Sequence, residues 1–273
     1  MNYIEAIKDR KSVRTFDDNK EIENNLLEEI KGFMNKQSNP YGLKIEWLLL
    51  NKDEYNLSSP VIVGEKYYII GKMKKEIHAE EAFGYEFEEI ILFLKTKGIG
   101  TTWMAGTFPR EDFEKAIELK EDEIMPSITP IGYKAHKMSF REKLMRKGIK
   151  ADTRKKFNDL FFKNNFETNL DSDDLKKYED LLELVRIAPS AVNKQPWRLL
   201  IMNNNIYFYK KPSNGFKKDG FDVQKIDIGI AMNHFVQGLK NKNINYKFDF
   251  NDPNIKYDDY EYVSTIILDK NNQ

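Results

Sequence analysis

Apolar residues along this chain occur in two patterns, at helical spacing and in short continuous runs. Residues three or four apart are apolar at 22–34, 83–94, 175–188 and 228–239, which predicts four amphipathic helices. Short apolar runs predict buried strands at 45–50, 128–133, 199–202, 206–209 and 263–268. The basic connection at 153–162 is predicted as a further short helix. We expect the helix of 175–188 to stop at Pro189, because a proline ring cannot continue it.

The order of predicted elements is the same in the two halves of the chain, and a weak sequence match accompanies it. An offset of 145 positions pairs Phe83 with Ile228, Phe87 with Met232, Leu94 with Leu239 and Ile99 with Ile244. Two amphipathic helices can align by chance, but an offset that persists through helix, turn and strand favours an internal duplication. We expect halves at 1–150 and 151–273 that imitate a two-fold dimer, whose junction is a natural place for a cleft.

Composition and charge exclude several classes of function. Lys and Arg total 44, as do Asp and Glu, so the zero net charge argues against a general nucleic-acid or acidic-membrane binder. The chain has no cysteine, no apolar run long enough for a membrane span and no secretory signal at its N-terminus, so we expect a cytoplasmic protein. The histidines His78, His136 and His234 are isolated, so we expect no metal site.

The first candidate site is the basic segment Arg10, Lys11, Ser12 and Arg14, which follows a short helical segment. If the chain leaves that helix near Lys11, then Ser12, Arg14 and Phe16 alternate to one side. Guanidinium groups suit phosphate because two N–H groups can meet two oxygens at once. The alternative is a solvated basic patch in a lysine-rich protein.

The second candidate is the polar loop at 188–197, between a predicted helix and a predicted strand. It contains Pro189, Ser190, Asn193 and Gln195, and the amides of Asn and Gln present a donor beside an acceptor, which suits the edge of a heterocycle. The alternative is an ordinary turn with Trp197 packed into the core.

The third candidate is the glycine-rich stretch at 98–106. Its three glycines could let the backbone approach something flat. It is no dinucleotide-binding fingerprint, because Trp103 occupies the place of the third glycine and no strand precedes it. A helix cap and a tight turn would explain Gly98 but not Gly106.

Together these motifs resemble the FMN-dependent nitroreductase family. The family pattern R-x-S-x-R-x-F matches the segment from Arg10 to Phe16, and P-S-x-x-N-x-Q-P-W matches 189–197 completely. A G-[IL]-G-T-x-W stretch followed by a strand ending in G-Y matches 98–103 and Gly132-Tyr133. The order is altered, because the Pro-Ser loop here follows the G-[IL]-G-T stretch by about ninety residues instead of preceding it.

The resemblance implies an α+β nitroreductase-like fold in two tandem halves, each with a central mixed or antiparallel sheet flanked by helices. In the family homodimer, the basic motif and the Pro-Ser loop at one flavin come from different subunits. Here the first half lacks the Pro-Ser signature at 37–41, and the second half lacks R-x-S-x-R at 154–166. The halves therefore resemble a single-chain, duplicated nitroreductase subgroup with one complete flavin site, one degenerate site and no need for a second subunit, so we expect a monomer.

The resemblance also implies roles for individual residues. The FMN phosphate, ribityl chain and pyrimidine edge would be held by Arg10, Lys11, Ser12 and Arg14, with the basic pair Arg154 and Lys155 as further phosphate ligands. The flavin ring would be approached by Pro189, Ser190 and Asn193, with Gln195 supporting the loop, and by the backbone N–H groups of Ala105 and Gly106 at O4 and N5.

The chemistry that the resemblance implies is a hydride relay. NADH or NADPH would reduce FMN at N5, and a nitroaromatic, a quinone or a similar small acceptor would reoxidise it. No acid–base side chain is then required, and Arg14 would tune the flavin potential. Two alternatives stay open: a module that stores, senses or delivers flavin without turnover, and a structural or interaction protein that has lost flavin.

Overall fold

The computed structural model describes residues 2–148, 152–218 and 220–269 of the 273-residue chain. The chain divides into two compact units, Met1–Ala151 and Asp152–Gln273, and each is described by itself.

The first unit has an antiparallel sheet with helices. Its helices are α1 (Tyr3–Asp9), α2 (Asn24–Met34), α3 (Lys52–Tyr55), α4 (Ala79–Thr96), α5 (Arg110–Ala116) and α6 (Phe140–Gly148). Its strands are β1 (Ile45–Asn51), β2 (Tyr67–Lys74), β3 (Gly100–Thr101), β4 (Glu123–Ile124) and β5 (Ile128–Gly132). The order across the sheet is β1-β2-β5-β3, with β4 also paired to β2, and every pair is antiparallel.

The second unit has a mixed sheet and two long helices. The helices are α7 (Ser172–Arg186) and α8 (Val223–Asn241), and short 3-10 turns occur at Phe157–Asp159 and Ala191–Asn193. The strands are β6 (Phe161–Lys163), β7 (Trp197–Met202), β8 (Asn205–Lys210), β9 (Lys217–Lys218), β10 (Phe221–Asp222), β11 (Tyr246–Asp249) and β12 (Glu261–Leu268). The main sheet has the order β11-β12-β8-β7-β6, in which only the pair of β6 with β7 is parallel; β9 and β10 form a separate hairpin.

The two units share one order of main elements, namely helix, two strands, helix and two strands. In the first unit these elements are α2, β1, β2, α4, β3 and β5, and in the second they are α7, β7, β8, α8, β11 and β12. The sheet orders also correspond, because β1-β2-β5-β3 has the same connectivity as β7-β8-β12-β11. The second unit adds the parallel edge strand β6, and the first adds α3, α5 and β4 between its main elements.

The long helices α4 and α8 end in the same way. Gly98 has a φ of 75° just after α4, and the N–H of the following residue donates to the carbonyl of Leu94 at 3.0 Å. Asn243 has a φ of 54° just after α8, and the N–H of the following residue donates to the carbonyl of Leu239 at 3.0 Å. These are Schellman motifs, in which a left-handed residue lets the chain reverse over the last turn of the helix.

The four long helices and the five strands predicted from the apolar pattern are all present, with shifted ends. The helix predicted at 153–162 is wrong: this stretch holds irregular backbone, one 3-10 turn and the start of β6. Leu160 and Phe161 are fully buried, and Phe161 pairs in register with Leu199 of β7, so burial in a sheet outweighs the local helical pattern. Within the described ranges, no helix is long and apolar enough to cross a membrane.

Candidate functional site

The basic segment begins where α1 ends. Asn2 and Glu5 form a capping box at the start of α1, and Arg10 is its C-cap. The backbone of Arg10 is already extended, and the Val13 N–H donates to the carbonyl of Thr101 at 2.9 Å. The first unit therefore brings the basic segment directly against the glycine-rich stretch.

Two glycines of the first unit make this close packing possible. A Cβ added at Gly100 would lie 3.0 Å from the side chain of Val13, and one added at Gly132 would lie 3.0 Å from the ring of Phe16. Gly98 supplies the left-handed cap of α4. The sequence suggested that the glycines of the stretch 98–106 make room for a flat group. The structure gives two of them other roles: Gly98 ends α4, and Gly100 allows the contact with Val13.

A buried carboxylate, which the sequence analysis missed, joins the two motifs. Glu88 on α4 is 0% exposed; it accepts a hydrogen bond from the Trp103 indole N–H at 2.8 Å and lies 3.8 Å from the Arg10 guanidinium. A buried charge is costly unless it is paired, so this contact fixes Arg10 in place. No signal in the sequence singles out Glu88, because α4 carries five glutamates and only the structure shows that Glu81, Glu86 and Glu88 are the buried ones.

A cavity of about 150 Å³ opens beside the basic segment. Its lining includes the predicted residues Arg10, Lys11 and Ser12, together with Lys95 and Lys134, which the sequence analysis did not identify. The Arg10 Nη1 atom is buried and has no hydrogen-bond partner within the described ranges. The four cations outnumber the one carboxylate in the lining, Asp9, and together with a hydroxyl and an unused guanidinium donor they fit a phosphate group.

Arg14 is not among the residues that line this cavity, although the sequence analysis grouped it with Arg10. Its side chain is buried, and its carbonyl accepts the Val63 N–H at 3.0 Å. Arg10, Lys11 and Ser12 therefore line one cavity, whereas Arg14 lies in a separate, buried position.

The glycine-rich stretch ends on more open backbone. Met104 pairs with Ile128 on β5, Ala105 is half-buried, and Gly106 is exposed. A Cβ added at Gly106 would meet nothing within 4 Å, so neither crowding nor a left-handed backbone requires a glycine there. The main chain at Gly106 is therefore exposed and uncrowded.

The Pro-Ser loop of the second unit has an unusual backbone. It begins after α7 and contains three non-glycine residues with positive φ: Val192 at 43°, Asn193 at 58° and Gln195 at 51°. Val192 is also exposed, and a β-branched residue in this region is a genuine outlier. Strain of this kind concentrates at ligand-binding sites, where the surrounding structure must hold it in place.

The polar side chains of the loop hold that backbone. The Gln195 N–H donates to Ser190 Oγ at 2.9 Å, and the Lys155 N–H donates to Gln195 Oε1 at 2.8 Å. Asn193 Nδ2 donates to the carbonyl of Thr153 at 3.0 Å. Trp197 is 0% exposed, so this side chain packs in the core, as the alternative interpretation of the loop also expects.

The loop is also attached to a buried carboxylate on α8, which the sequence analysis missed. The Ala191 N–H donates to Asp227 Oδ1 at 3.0 Å. Asp227 is 2% exposed, and its Oδ2 has no hydrogen-bond partner within the described ranges. Burial raises the pKa of Asp227 well above its usual value, and the nearby Asp222 adds to the shift. Burial thus favours the neutral acid more than at an exposed aspartate.

The predicted basic pair of the second unit lies beside the same loop. Arg154 donates to the carbonyls of Thr153, at 2.7 Å, and Ile187, at 3.1 Å, so its guanidinium braces its own chain. Burial lowers the pKa of Lys155, and the neighbouring cation Arg198 lowers it further. Lys155 therefore lies among like charges, an arrangement that an anion would stabilise.

The structure thus groups the predicted residues by unit. The first unit holds Arg10, Lys11, Ser12, Arg14, Ala105 and Gly106, and the second holds Arg154, Lys155, Pro189, Ser190, Asn193 and Gln195. The described residues include no group of three or more His, Asp or Glu side chains that could hold a metal ion.

Comparisons with known proteins give the fold and a family. A sequence model of the family described as "Putative TM nitroreductase" matches residues 2–239. A solved structure described as a "putative nitroreductase", from Thermotoga maritima, is 22% identical with a TM-score of 0.64, covering 98% of this chain and 94% of that one. An FMN-dependent nitroreductase from Clostridium difficile is 17% identical with a TM-score of 0.42, covering 52% of this chain and 94% of that one. The comparison with curated proteins finds no match.

Proposed function

The chain belongs to the "Putative TM nitroreductase" family and has a nitroreductase-like α+β fold, and from this premise we propose that it is an FMN-dependent NAD(P)H oxidoreductase. The observation that carries the proposal is the cationic cavity beside Arg10, Lys11 and Ser12, whose size and donors suit a phosphate group. When bound, FMN supplies a two-electron carrier between NADH or NADPH and a nitroaromatic, quinone or similar small acceptor.

The residues of the first unit would hold the phosphate and the polar edge of the flavin. Arg10, Lys11 and Ser12 line the cavity, and Glu88 keeps the Arg10 guanidinium oriented. Arg14 would lie at the pyrimidine edge, where its charge favours the more negative, reduced state. The backbone N–H groups of Ala105 and Gly106 would serve O4 and N5.

The residues of the second unit would serve the same FMN. Pro189, Ser190 and Asn193 would approach the ring, with Gln195 bracing the loop from within, and Arg154 and Lys155 would be further phosphate ligands. The support for one shared FMN comes from the sequence: each half lacks the motif that the other carries. The strained backbone at Val192 supports a binding role for this loop.

We also propose that the chain arose by internal duplication. The support is the common order of main elements in the two units, the matching sheet order and the matching ends of α4 and α8. A duplicated chain carries both halves of a family dimer, so a monomer is expected. The monomeric state and a cytoplasmic location stay predictions.

In this proposal no side chain acts as an acid or a base. The protein binds the cofactor, orients it and tunes its charge environment, and the cofactor carries the difficult chemistry. The buried positions of Arg14 and Glu88 suit this role, because fixed charges interact more strongly where water is excluded.

The test is the flavin content and reduction of the purified protein. We expect about one FMN per chain, a monomer by light scattering, and bleaching of the yellow colour when NADH or NADPH is mixed in without oxygen. Two FMN per chain would contradict the shared site. A yellow protein that neither nucleotide bleaches would instead indicate a flavin-binding module, and a colourless protein that binds no added FMN would indicate loss of the cofactor.

A further inference from the structure

The backbone that leads to Gly106 is hydrogen-bonded to β5 as far as Met104. The Thr102 N–H donates to Thr129 Oγ1 at 3.0 Å, and Met104 and Ile128 exchange two backbone hydrogen bonds, at 3.0 and 2.9 Å. This pairing with β5 stops at Ala105. The next peptide therefore needs another group to fix its orientation.

Arg110, the first residue of α5, supplies that group. Its Nη2 donates to the carbonyl of Ala105 at 2.9 Å, and its Nη1 donates to the carbonyl of Met125. The side chain is 18% exposed and is held in turn by Glu114 at 3.5 Å and by the ring of Phe108, 5.3 Å away. One guanidinium thus ties the end of the glycine-rich stretch to the turn before β5.

The hold on the Ala105 carbonyl also fixes the Gly106 N–H. Both groups belong to one planar peptide, and the described residues contain no cis peptide bond, so the N–H points opposite to the carbonyl and away from Arg110. Within the described ranges, no acceptor is recorded for the Gly106 N–H, and the space beside Gly106 is open. A hydrogen bond at the carbonyl also polarises the N–H of the same peptide and makes it a better donor.

We propose that Arg110 is a positioning residue that aims and strengthens the Gly106 N–H as a donor to the redox-active edge of the flavin. This inference rests on the proposed FMN site. Arg110 acts through the Ala105–Gly106 peptide, with its charge on the far side of that peptide from the ligand. It should therefore favour the reduced flavin over the oxidised one through O4, because this carbonyl oxygen carries more negative charge in the anionic reduced form.

The experiment compares R110A and R110Q with K115A, a control that removes an exposed cation from the same helix. The first readout is the amide ¹⁵N shift of Gly106 in protein without flavin, which reports the hydrogen bond at the preceding carbonyl. The second is the dissociation constant of oxidised FMN, and the third is the midpoint potential of the bound flavin.

We expect R110A to move the Gly106 resonance, to weaken FMN binding and to lower the potential. A tenfold loss of preference for the reduced form corresponds to about 30 mV for a two-electron couple. R110Q, which keeps a donor without the charge, should move the potential by less than R110A. K115A should leave all three readouts at wild-type values.

The outcomes separate the two proposals. If R110A moves the Gly106 resonance but leaves FMN affinity and potential unchanged, the positioning role is wrong while the FMN site stands. An unmoved Gly106 resonance in folded R110A overturns the contact itself. If wild-type protein binds no FMN, the proposed function fails and the positioning role fails with it, whatever the resonance shows.

Discussion

The loops that follow α2 and α7 occupy equivalent places in their units, but they are stabilised in different ways. In the first unit, at 37–43, one side chain organises the turn: Asn39 Oδ1 accepts the N–H groups of Tyr41 and Leu43, at 3.1 and 3.2 Å. Asn39 Nδ2 donates to the Leu43 carbonyl and to Glu86 on α4, both at 2.7 Å. Glu86 also accepts the Trp47 indole N–H at 2.9 Å.

In the second unit the corresponding loop contacts a carboxyl group that is only partly used in hydrogen bonds. Its backbone is strained at Val192, and its contact with α8 is the hydrogen bond from the Ala191 N–H to Asp227. The other oxygen of Asp227 has no hydrogen-bond partner within the described ranges. At the offset of 145 that relates the halves, Ala82 stands in the first unit where Asp227 stands in the second.

This difference is the one that we expect if the first loop is stable by itself and the second serves the proposed FMN site. Both oxygens of Glu86 are used, and no residue of the first loop is strained. The second loop tolerates left-handed residues and an incompletely paired acid, which a protein retains where they serve binding. The comparison agrees with the proposal that only the second loop contacts FMN.

The largest expected effect is on the midpoint potential of the bound flavin, and it tests the positive charge of Arg14 in the first unit. A cation about 4 Å from the reduced flavin, at an effective dielectric of ~20, contributes up to ~4 kcal/mol. That energy corresponds to about 90 mV for a two-electron couple. We expect R14A to lower the midpoint potential by up to this amount and to weaken FMN binding, while R14K retains much of both. K36A, which removes an exposed cation, is the control. An unchanged potential and affinity in R14A would remove Arg14 from the site.

The second prediction addresses the loop of the first unit. E86A leaves the buried Trp47 indole N–H and one N–H of the partly buried Asn39 amide without an acceptor, which costs roughly 1–3 kcal/mol for each. We expect the free energy of unfolding in urea to fall by about 3 kcal/mol. The FMN dissociation constant should stay within about twofold of wild type, about 0.4 kcal/mol. A large loss of FMN affinity in folded E86A would show that the first loop also serves the ligand.

The third prediction addresses the loop of the second unit. D227A removes the acceptor of the Ala191 N–H and frees a loop that already carries strain. We expect FMN affinity to fall about tenfold, or ~1.4 kcal/mol, as measured by fluorescence titration. D227N keeps both the shape and an acceptor oxygen, so its affinity should match wild type. Equal affinities for D227A and wild type would leave the loop without its proposed support.

The fourth prediction concerns pH and the same carboxyl group. Because burial raises the pKa of Asp227 in the folded state, the folded protein keeps this proton to higher pH than the unfolded chain. The stabilisation is complete below the unfolded pKa of about 3.9 and is lost as pH rises, by at most ~1.4 kcal/mol per unit. Burial also raises the pKa of Glu86, with the same sign. Between pH 4 and 7 we expect the free energy of unfolding in urea to fall less steeply with pH in D227N than in wild type. The same pH dependence in both proteins would contradict the raised pKa of Asp227.

The sequence predicted the main helices and strands because their apolar periods match their burial. It missed β2, whose run at Tyr67–Lys74 mixes aromatic, aliphatic, glycine and lysine residues, although six consecutive residues of it are buried. It also predicted a helix at 153–162, where the side chains of Asn193 and Gln195 bind the backbone instead.

Motif patterns identified the candidate segments but not the residues that hold them. Glu88, Asp227 and Arg110 act on the motifs from positions distant in the sequence or outside the matched patterns, so only the folded chain shows them. Lys95 and Lys134 join the cavity for the same reason: the end of α4 and the end of β5 meet beside Arg10.

The smallest expected effect tests the equivalence of the two helix ends. Gly98 and Asn243 are both left-handed, and a Cβ at Gly98 meets nothing within 4 Å, so G98A should cost only backbone strain, about 1 kcal/mol. G98N copies the second unit and should cost less than G98A, because asparagine tolerates this conformation better than alanine. N243G copies the first unit and should stabilise the protein by a few tenths of a kcal/mol, about the size of one cap substitution. Urea unfolding of the three variants measures the differences, and FMN affinity should not change in N243G, because Asn243 does not line the cavity beside Arg10. If G98A lowers the free energy of unfolding by well over about 2 kcal/mol, crowding rather than the left-handed backbone requires glycine at the end of α4. The ends of α4 and α8 would then share their geometry but not the reason for it.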